Sequence, residues 1–143
     1  MARLPAPRPE PVDWAELVQR LQLQQPFTAG PVPSRPLLAD PAQLQQALIN
    51  LLKNAQESGS DPAAIELRAQ AAPGEWRIEV LDRGTGMSEA VLAQALMPFY
   101  STKRGGSGLG LALVREIAEA HGGRLSLAQR PGGGTSVQLV LPG

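Results

Sequence analysis

The spacing of apolar residues along the chain predicts three helices. The middle helix has the clearest start, because Asp40 is a capping residue type, Pro41 suits the first helical position, and Gln43 completes a capping-box-like pair. Its apolar residues recur at helical spacing and form one core-facing stripe, made of Leu44, Ala47, Leu48, Leu51, Leu52 and Ala55. The same spacing predicts a short helix from Asp13 to about Leu23 and another from about Leu109 to His121.

Alternation of apolar and polar residues predicts four strands that pair as two antiparallel hairpins. The strands lie within residues 64–69, 76–80, 125–128 and 136–141, and proline and glycine supply the turn inside each pair. The proline-rich segment 26–36 allows at most a short edge strand near Phe27. Helices on one face of a mixed, mainly antiparallel sheet form a two-layer α+β sandwich, and this is the fold class that we predict.

Length, charge and composition exclude several kinds of partner. At 143 residues the chain is long enough for one domain with its own core. Residues 1–11 carry four prolines and are interpreted as a linker or tail, which leaves residues 12–143 as the domain. The 13 basic and 13 acidic side chains balance, so nothing indicates nucleic acid or direct membrane contact. The chain has no cysteine and no apolar run near the ~18–20 residues that span a bilayer, so we expect a soluble, cytoplasmic domain.

Three polar side chains share a second row on the middle helix. Asn50, Asn54 and Glu57 follow i, i+4, i+7 spacing, which places them at the border of the apolar stripe rather than on the far, solvated face. Two amide oxygens directed at one point suit a hard cation such as Mg²⁺, which is commonly shared with substrate phosphates. A pair of surface asparagines is the alternative interpretation.

The residues by themselves leave two interpretations of Asp82 open. It is in phase with the inward apolar residues of the preceding strand, so its carboxylate points to the buried side and needs donors there. Adenine offers such a donor in its amino group, and Gly84 and Gly86 would let the chain turn tightly beside the base. Alternatively the strand has ended by Leu81 and Asp82 makes an Asx turn, which is the preferred interpretation without further context. Thr135 is likewise in phase with the inward face of the last strand, or is an ordinary β-branched strand residue.

A glycine-rich segment, Gly105–Gly110, leads directly into the last predicted helix. Backbone N–H groups and the positive end of the helix favour a phosphate there, although a flexible connector has the same composition. The segment is not a P-loop, since no Gly-Lys-Ser/Thr follows, and it is not a dinucleotide fingerprint, since it does not lie between parallel strands. Just before it, Lys103 and Arg104 are either counter-charges for phosphate or solvated loop cations.

Together, four motifs in this order resemble the N, D, F and second glycine boxes of the ATP-binding catalytic domain of sensor histidine kinases. They are Asn50–Ala55, Asp82–Met87, Pro98–Lys103 and Gly106–Leu111. That domain has the Bergerat fold, shared with DNA gyrase, mismatch-repair ATPases and the ninety-kilodalton heat-shock chaperones. The resemblance extends over residues 12–141 and implies binding of ATP with Mg²⁺. It also implies donation of the γ-phosphate to a histidine on a separate dimerisation and phosphoacceptor domain of the same kinase, which indirectly serves a response regulator. Such a domain is cytoplasmic, either in a soluble kinase or as part of a membrane-bound sensor.

The resemblance also implies roles for individual residues. Asp82 recognises adenine and Thr135 helps to hold it. Asn54 ligates magnesium, and Asn50 and Lys103 are the further catalytic residues. The nucleotide-contacting residues that it implies are Asn50, Asn54, Asp82, Gly84, Gly86, Thr102, Lys103, Gly106, Gly108, Leu109, Gly110, Leu111 and Thr135. Glu57 departs from the Lys or Arg of many members, which leaves one phosphate contact without a residue.

One position separates this interpretation from its rivals within the superfamily. Gyrase-type, mismatch-repair and chaperone ATPases resemble one another in a glutamate four residues before the metal-binding asparagine, where this chain has Asn50. A phosphotransferase is therefore favoured over an ATPase module, and a non-catalytic docking domain or an anti-sigma-factor serine kinase are further alternatives. His121 precedes two glycines, as it often does in the family without an acceptor role, so we do not expect it to be the phosphoacceptor. The short proline-rich link and Glu57 point to a nitrogen-regulation-like subgroup.

Overall fold

A computed structural model of the chain describes residues 5–33, 35–57, 59, 61–84 and 109–142. Within those ranges the helices and strands are β1 (Glu10–Val12), α1 (Trp14–Gln24), β2 (Thr28–Ala29), β3 (Leu37–Ala39), α2 (Pro41–Glu57), β4 (Glu66–Ala72), β5 (Glu75–Leu81), α3 (Leu109–Ala120), β6 (Arg124–Gln129) and β7 (Thr135–Pro142). The three predicted helices and both predicted hairpins are therefore confirmed, with ends that differ by a few residues.

Five of these strands form a mixed sheet with the order β2-β4-β5-β7-β6. Only β2 and β4 run parallel among the described pairs of this sheet, and the other neighbours are antiparallel. Strand β2 occupies one edge, as the proline-rich segment around it predicts. Strand β7 inserts between the first hairpin and β6, so the end of β5 lies beside the start of β7. This neighbourhood is the one on which the candidate site depends.

The helices bury their apolar stripes on one face of this sheet, which confirms the two-layer α+β sandwich. Every predicted stripe residue of α2 is at most 2% exposed. Ile78 and Leu139 face the helices from β5 and β7 and are fully buried. Trp14 of α1 meets Trp76 of β5 edge to face, with ring centroids 5.6 Å apart. Among the described residues no helix is long and apolar enough to cross a membrane.

The start of α2 corrects one detail of the predicted capping box. Asp40 caps the helix, since its Oδ1 accepts hydrogen bonds from the N–H groups of Ala42 and Gln43 at 3.0 and 3.1 Å. The side chain of Gln43 does not return to Asp40, however: its Oε1 has no hydrogen-bond partner among the described residues, and its Nε2 donates to the carbonyl oxygen of Pro5 at 2.8 Å. The N–H of Asp40 donates instead to Nε2 of His121 at 3.1 Å. A histidine from α3 therefore completes the cap of α2.

The proline-rich segment before α1 is partly paired rather than free. Strand β1 pairs antiparallel with β3, so the predicted boundary at residue 12 falls inside a strand. Pro11 is tolerated because both strands of a two-stranded ribbon are edge strands. The N–H of Arg8 also donates to Oδ2 of Asp40 at 3.0 Å. That bond and the one from Gln43 hold the pKa of Asp40 below its usual value, against the smaller opposing effect of burial.

Candidate functional site

Asp82 lies at the end of β5 and combines both interpretations that the sequence left open. The strand ends at Leu81, and Oδ1 of Asp82 accepts a hydrogen bond from the N–H of Gly84 at 2.9 Å, as in an Asx turn. The side chain is nevertheless only 6% exposed, as its phase with the inward residues predicts. The same oxygen also accepts from the N–H of Thr135 at 3.2 Å. Oδ2 has no hydrogen-bond partner among the residues that the structure describes.

Thr135 begins β7 directly beside Asp82. Its carbonyl oxygen accepts from the N–H of Asp82 at 3.0 Å, so the two residues are joined by hydrogen bonds in both directions. Thr135 is 3% exposed and lies on the inward face, which confirms the predicted phase. The structure thus brings together two site residues that are 53 positions apart in the sequence.

Gly134 is a residue of this site that the sequence interpretation missed. A Cβ at this position would lie 2.0 Å from the carbonyl oxygen of Asp82 and 2.8 Å from Cα of Arg83. Its φ of +104° is also in the region that favours glycine. Only glycine therefore allows β5 and β7 to approach closely enough for Asp82 and Thr135 to bond. Its place at the end of a glycine run, directly before Thr135, is the signal in the sequence that could have found it.

Two arginines, neither of them singled out from the sequence, hold the turn between β6 and β7. Nη1 of Arg83 donates to the carbonyl oxygens of Pro131 and Gly133, the latter at 3.0 Å. Arg130 lies at the base of the turn, where its N–H donates to the carbonyl oxygen of Gly134 at 3.0 Å. The site is therefore braced at both ends of the turn.

The side chain of Arg130 joins the base of this turn to the start of β4. It is 8% exposed and donates to the carbonyl oxygen of Ala64 at 3.0 Å and to Oε1 of Glu66 at 2.9 Å. Burial raises the pKa of Glu66, but the cations of Arg68 and Arg130 outweigh it and the net pKa is lowered. Glu66 therefore stays ionised as the partner of a buried guanidinium.

Asn50 and Asn54 lie half-buried on α2, at the border of its apolar stripe as predicted. Oδ1 of Asn50 accepts a hydrogen bond from Nε2 of Gln46, one turn earlier, at 2.9 Å. Glu57 is exposed. Among the described residues no group of three or more His, Cys, Asp or Glu is placed to hold a metal ion. The donor set on this face of α2 consists of amide oxygens, which suit Mg²⁺.

Several predicted site residues lie outside the residues that the structure describes, namely Gly86, Thr102, Lys103, Gly106 and Gly108. Leu109 and Gly110 open α3, as expected for the residues after the glycine-rich segment. Leu111 is 9% exposed and belongs to the core cluster. Its side chain therefore packs inward, into the core of the domain.

His121 has both ring nitrogens engaged in the fold. Nδ1 lies 2.8 Å from the carbonyl oxygen of Ile117, while Nε2 accepts from the N–H of Asp40. The two contacts together assign the proton to Nδ1. Helix α3 ends beside it in a Schellman motif, with Gly122 at φ +80°. His121 therefore joins the end of α3 to the start of α2.

Comparisons with known proteins agree with this arrangement. The chain is 41% identical over 108 residues to the C4-dicarboxylate transport sensor protein DctS of Rhodobacter capsulatus, covering 73% of this chain and 16% of that protein. It is 38% identical over 117 residues to the sensor histidine kinase ZraS of Klebsiella oxytoca, covering 81% of this chain and 25% of that protein. The chain thus spans a quarter or less of these relatives.

A solved structure supports the fold. The ATP-binding domain of PrrB from Mycobacterium tuberculosis superimposes with a TM-score of 0.78 at 29% identity, covering 94% of this chain and 97% of that one. The family described as histidine kinase-, DNA gyrase B-, and HSP90-like ATPase matches residues 39–143. That range contains Asp82, Thr135 and the polar row of α2. The chain therefore belongs to the family of histidine kinase-, DNA gyrase B- and HSP90-like ATPases, within which its relatives are sensor histidine kinases.

Proposed function

We propose that this chain is the catalytic domain of a sensor histidine kinase. It binds ATP with Mg²⁺ and donates the γ-phosphate to a histidine on a dimerisation and phosphoacceptor domain of the same protein. Family membership and the sensor kinases among its relatives support this assignment. Because the chain spans 16% and 25% of those two relatives, the acceptor domain and a response regulator are partners inferred from the family. We also infer from the family that the domain lies in the cytoplasm.

The carboxylate of Asp82 is the observation that carries the proposal. One of its oxygens is held by two backbone N–H groups, and the other has no donor among the described residues. The second oxygen is therefore the acceptor that remains for a ligand, and the amino group of adenine can donate a hydrogen bond to it. Guanine has a carbonyl oxygen at the corresponding position, which a carboxylate repels. We therefore assign adenine recognition to Asp82, with Thr135 beside it.

The polar face of α2 fits magnesium by its chemistry. Amide oxygens are ligands that Mg²⁺ accepts, and the ion keeps several waters and shares substrate phosphates. We assign the ligand role to Asn54. Asn50 has the supporting role, as the resemblance to the family implies. When bound, Mg²⁺ neutralises charge on the triphosphate.

The residues of this chain act by positioning rather than by covalent catalysis. Asp82 fixes the base, and the start of α3 offers backbone N–H groups and the positive end of a helix to the phosphates. Lys103 supplies a further positive charge. The chain carries Asn50 rather than a carboxylate one turn before Asn54, so it has no general base at that point for activating water. Transfer to a histidine is thereby favoured over hydrolysis.

Calorimetry with ATP and ADP, with and without Mg²⁺, tests the pocket. In Asp82→Asn the side-chain oxygen can keep its two backbone bonds, but an amide nitrogen replaces Oδ2 and faces the amino group of adenine donor to donor. We expect ADP binding to weaken by about 100-fold while the fold is retained. Asp13→Asn is the matched control, because it removes the same charge at the exposed cap of α1, where Asn also caps well.

The outcomes separate the proposal from its alternatives. Lack of ATP binding by the folded wild-type chain would favour a docking domain and refute the proposal. Rapid ATP hydrolysis by the isolated chain would favour the ATPase alternative. Transfer itself is tested by adding a dimeric phosphoacceptor domain from a similar sensor kinase and following acid-labile phosphate on its histidine.

A further inference from the structure

The sequence of the turn between β6 and β7 favours many conformations, but the candidate site requires one fixed conformation. Gly132, Gly133 and Gly134 all have positive φ, between +86° and +110°. Glycine loses more conformational freedom on ordering than any other residue, so three in succession need strong anchors. The turn also leads directly into Thr135, whose N–H must reach Oδ1 of Asp82.

Arg83 supplies the anchor at the tip of the turn. Its Nη1 donates to the carbonyl oxygens of Pro131 and Gly133, on either side of Gly132. Gly132 is the residue against which the guanidinium lies, because a Cβ there would be 2.9 Å from Nη1. Arg83 directly follows Asp82 in the chain. The segment that carries the carboxylate therefore also binds the turn that leads to Thr135.

Among the described residues, backbone hydrogen bonds within the turn hold only its base. The N–H of Arg130 donates to the carbonyl oxygen of Gly134, and the N–H of Gly133 donates to the carbonyl oxygen of Arg130, both at 3.0 Å. These bonds close the turn on itself but do not tie its tip to β5. The side chain of Arg83 makes that tie, at 48 and 50 positions of separation in the sequence.

We propose that Arg83 is a positioning residue for the nucleotide. It fixes the tip of the β6–β7 turn on the segment after β5, which holds the N–H of Thr135 on Oδ1 of Asp82 and so orients Oδ2 toward the base. The inference rests on the proposed function of Asp82. Arg83 is exposed and lies outside the buried core cluster, so its loss affects the geometry of the site rather than the stability of the core.

The test compares Arg83→Ala and Arg83→Lys with the wild-type chain. We expect Arg83→Ala to bind ADP about tenfold more weakly, since two hydrogen bonds that order the site are lost. Because a single nitrogen contacts both carbonyls, Arg83→Lys should restore part of the affinity. Arg77→Ala is the control: it removes an exposed arginine from β5 whose side chain bonds Glu75, and should leave ADP binding unchanged.

Two further measurements separate positioning from simple charge attraction. The loss of affinity should persist between about 0.1 M and about 0.5 M salt, because screening weakens a charge effect but not a loss of geometry. Amide hydrogen exchange without nucleotide should be about tenfold faster at Thr135 in Arg83→Ala. Exchange at the fully buried Leu139 should change less than exchange at Thr135, because the two lost bonds are exposed and lie outside the core.

The possible failures are distinguishable. Wild-type ADP affinity in Arg83→Ala, or a loss that disappears at high salt, overturns the positioning role and leaves the proposed function intact. Unchanged exchange at Thr135 overturns it as well. A wild-type chain that binds no ADP refutes the proposed function, and the inference fails with it.

Discussion

Replacing Gly134 with alanine tests how the site is built, because this position demands both an unusual backbone and an unusually close contact. The added Cβ would lie 2.0 Å from the carbonyl oxygen of Asp82 and 2.7 Å from its carbonyl carbon. Non-bonded heavy atoms are in contact at roughly 3.5 Å, so the backbone must separate by more than an ångström. The three nearest atoms are all main chain and cannot rotate aside.

Gly133 offers a matched control within the same turn. Its φ of +110° is close to the +104° of Gly134, but a Cβ there would meet no heavy atom within 4 Å among the described residues. Both alanine variants therefore incur the positive-φ strain, about 1–3 kcal/mol. Only Gly134→Ala must also break the two hydrogen bonds between Asp82 and Thr135. One is neutral and one is to a carboxylate, so the difference in unfolding free energy should be about 2.5–4 kcal/mol.

Urea denaturation of the two variants measures this difference, and calorimetry with ADP measures the site. We expect Gly133→Ala to bind ADP with near wild-type affinity and Gly134→Ala to lose binding, because the N–H of Thr135 leaves Asp82. Equal destabilisation of the two variants, with equal ADP affinity, would show that the contact between β5 and β7 does not organise the site.

Three other perturbations follow from the same structure. His121→Ala leaves the N–H of Asp40 without its acceptor and should cost about 1–2 kcal/mol in urea denaturation, so unchanged stability would contradict the shared cap. The lowered pKa of Asp40 means that its contribution to stability is present above the ordinary aspartate pKa and is lost as pH falls through the lower folded value; acid unfolding monitored below about pH 4 should therefore be less steep in Asp40→Asn. Leu48→Ala, in the fully buried stripe of α2, should cost about 2–5 kcal/mol in thermal or urea unfolding, while the exposed Gln46→Ala on the same helix should cost less than about 0.5 kcal/mol.

Much of the fold could be predicted because its signals are local. The cap at Asp40 and the helical spacing after it specify α2, since both depend on residues within a few positions of one another. Strand alternation placed Asp82 and Thr135 on the inward face before any pairing was known, because the period of a strand is two residues. The polar row of Asn50 and Asn54 was likewise predicted at the border of the stripe.

Other features could not be predicted because they depend on which surfaces meet. Gln43 has the sequence position of a capping-box partner, but its side chain donates to the carbonyl oxygen of Pro5. The N–H of Asp40 donates instead to His121, which is 81 positions away in the sequence. The grip of Arg83 on the β6–β7 turn has no signature at short range. Nothing near Arg83 in the sequence indicates that its side chain donates hydrogen bonds to carbonyl oxygens 48 and 50 residues further along the chain.

The sequence by itself determined the helices, the hairpins, the inward phase of Asp82 and Thr135 and the family to which the motifs belong. All of these follow from periodicity, capping and motif order, which are properties of neighbouring residues. Tertiary structure alone decided that β7 lies beside β5 and that Gly134 must be glycine. It also decided that Arg83 binds the β6–β7 turn and that His121 caps α2. The physical reason is that these contacts form only when burial of the helix stripes brings distant strands and helix ends together, and no local preference specifies that arrangement.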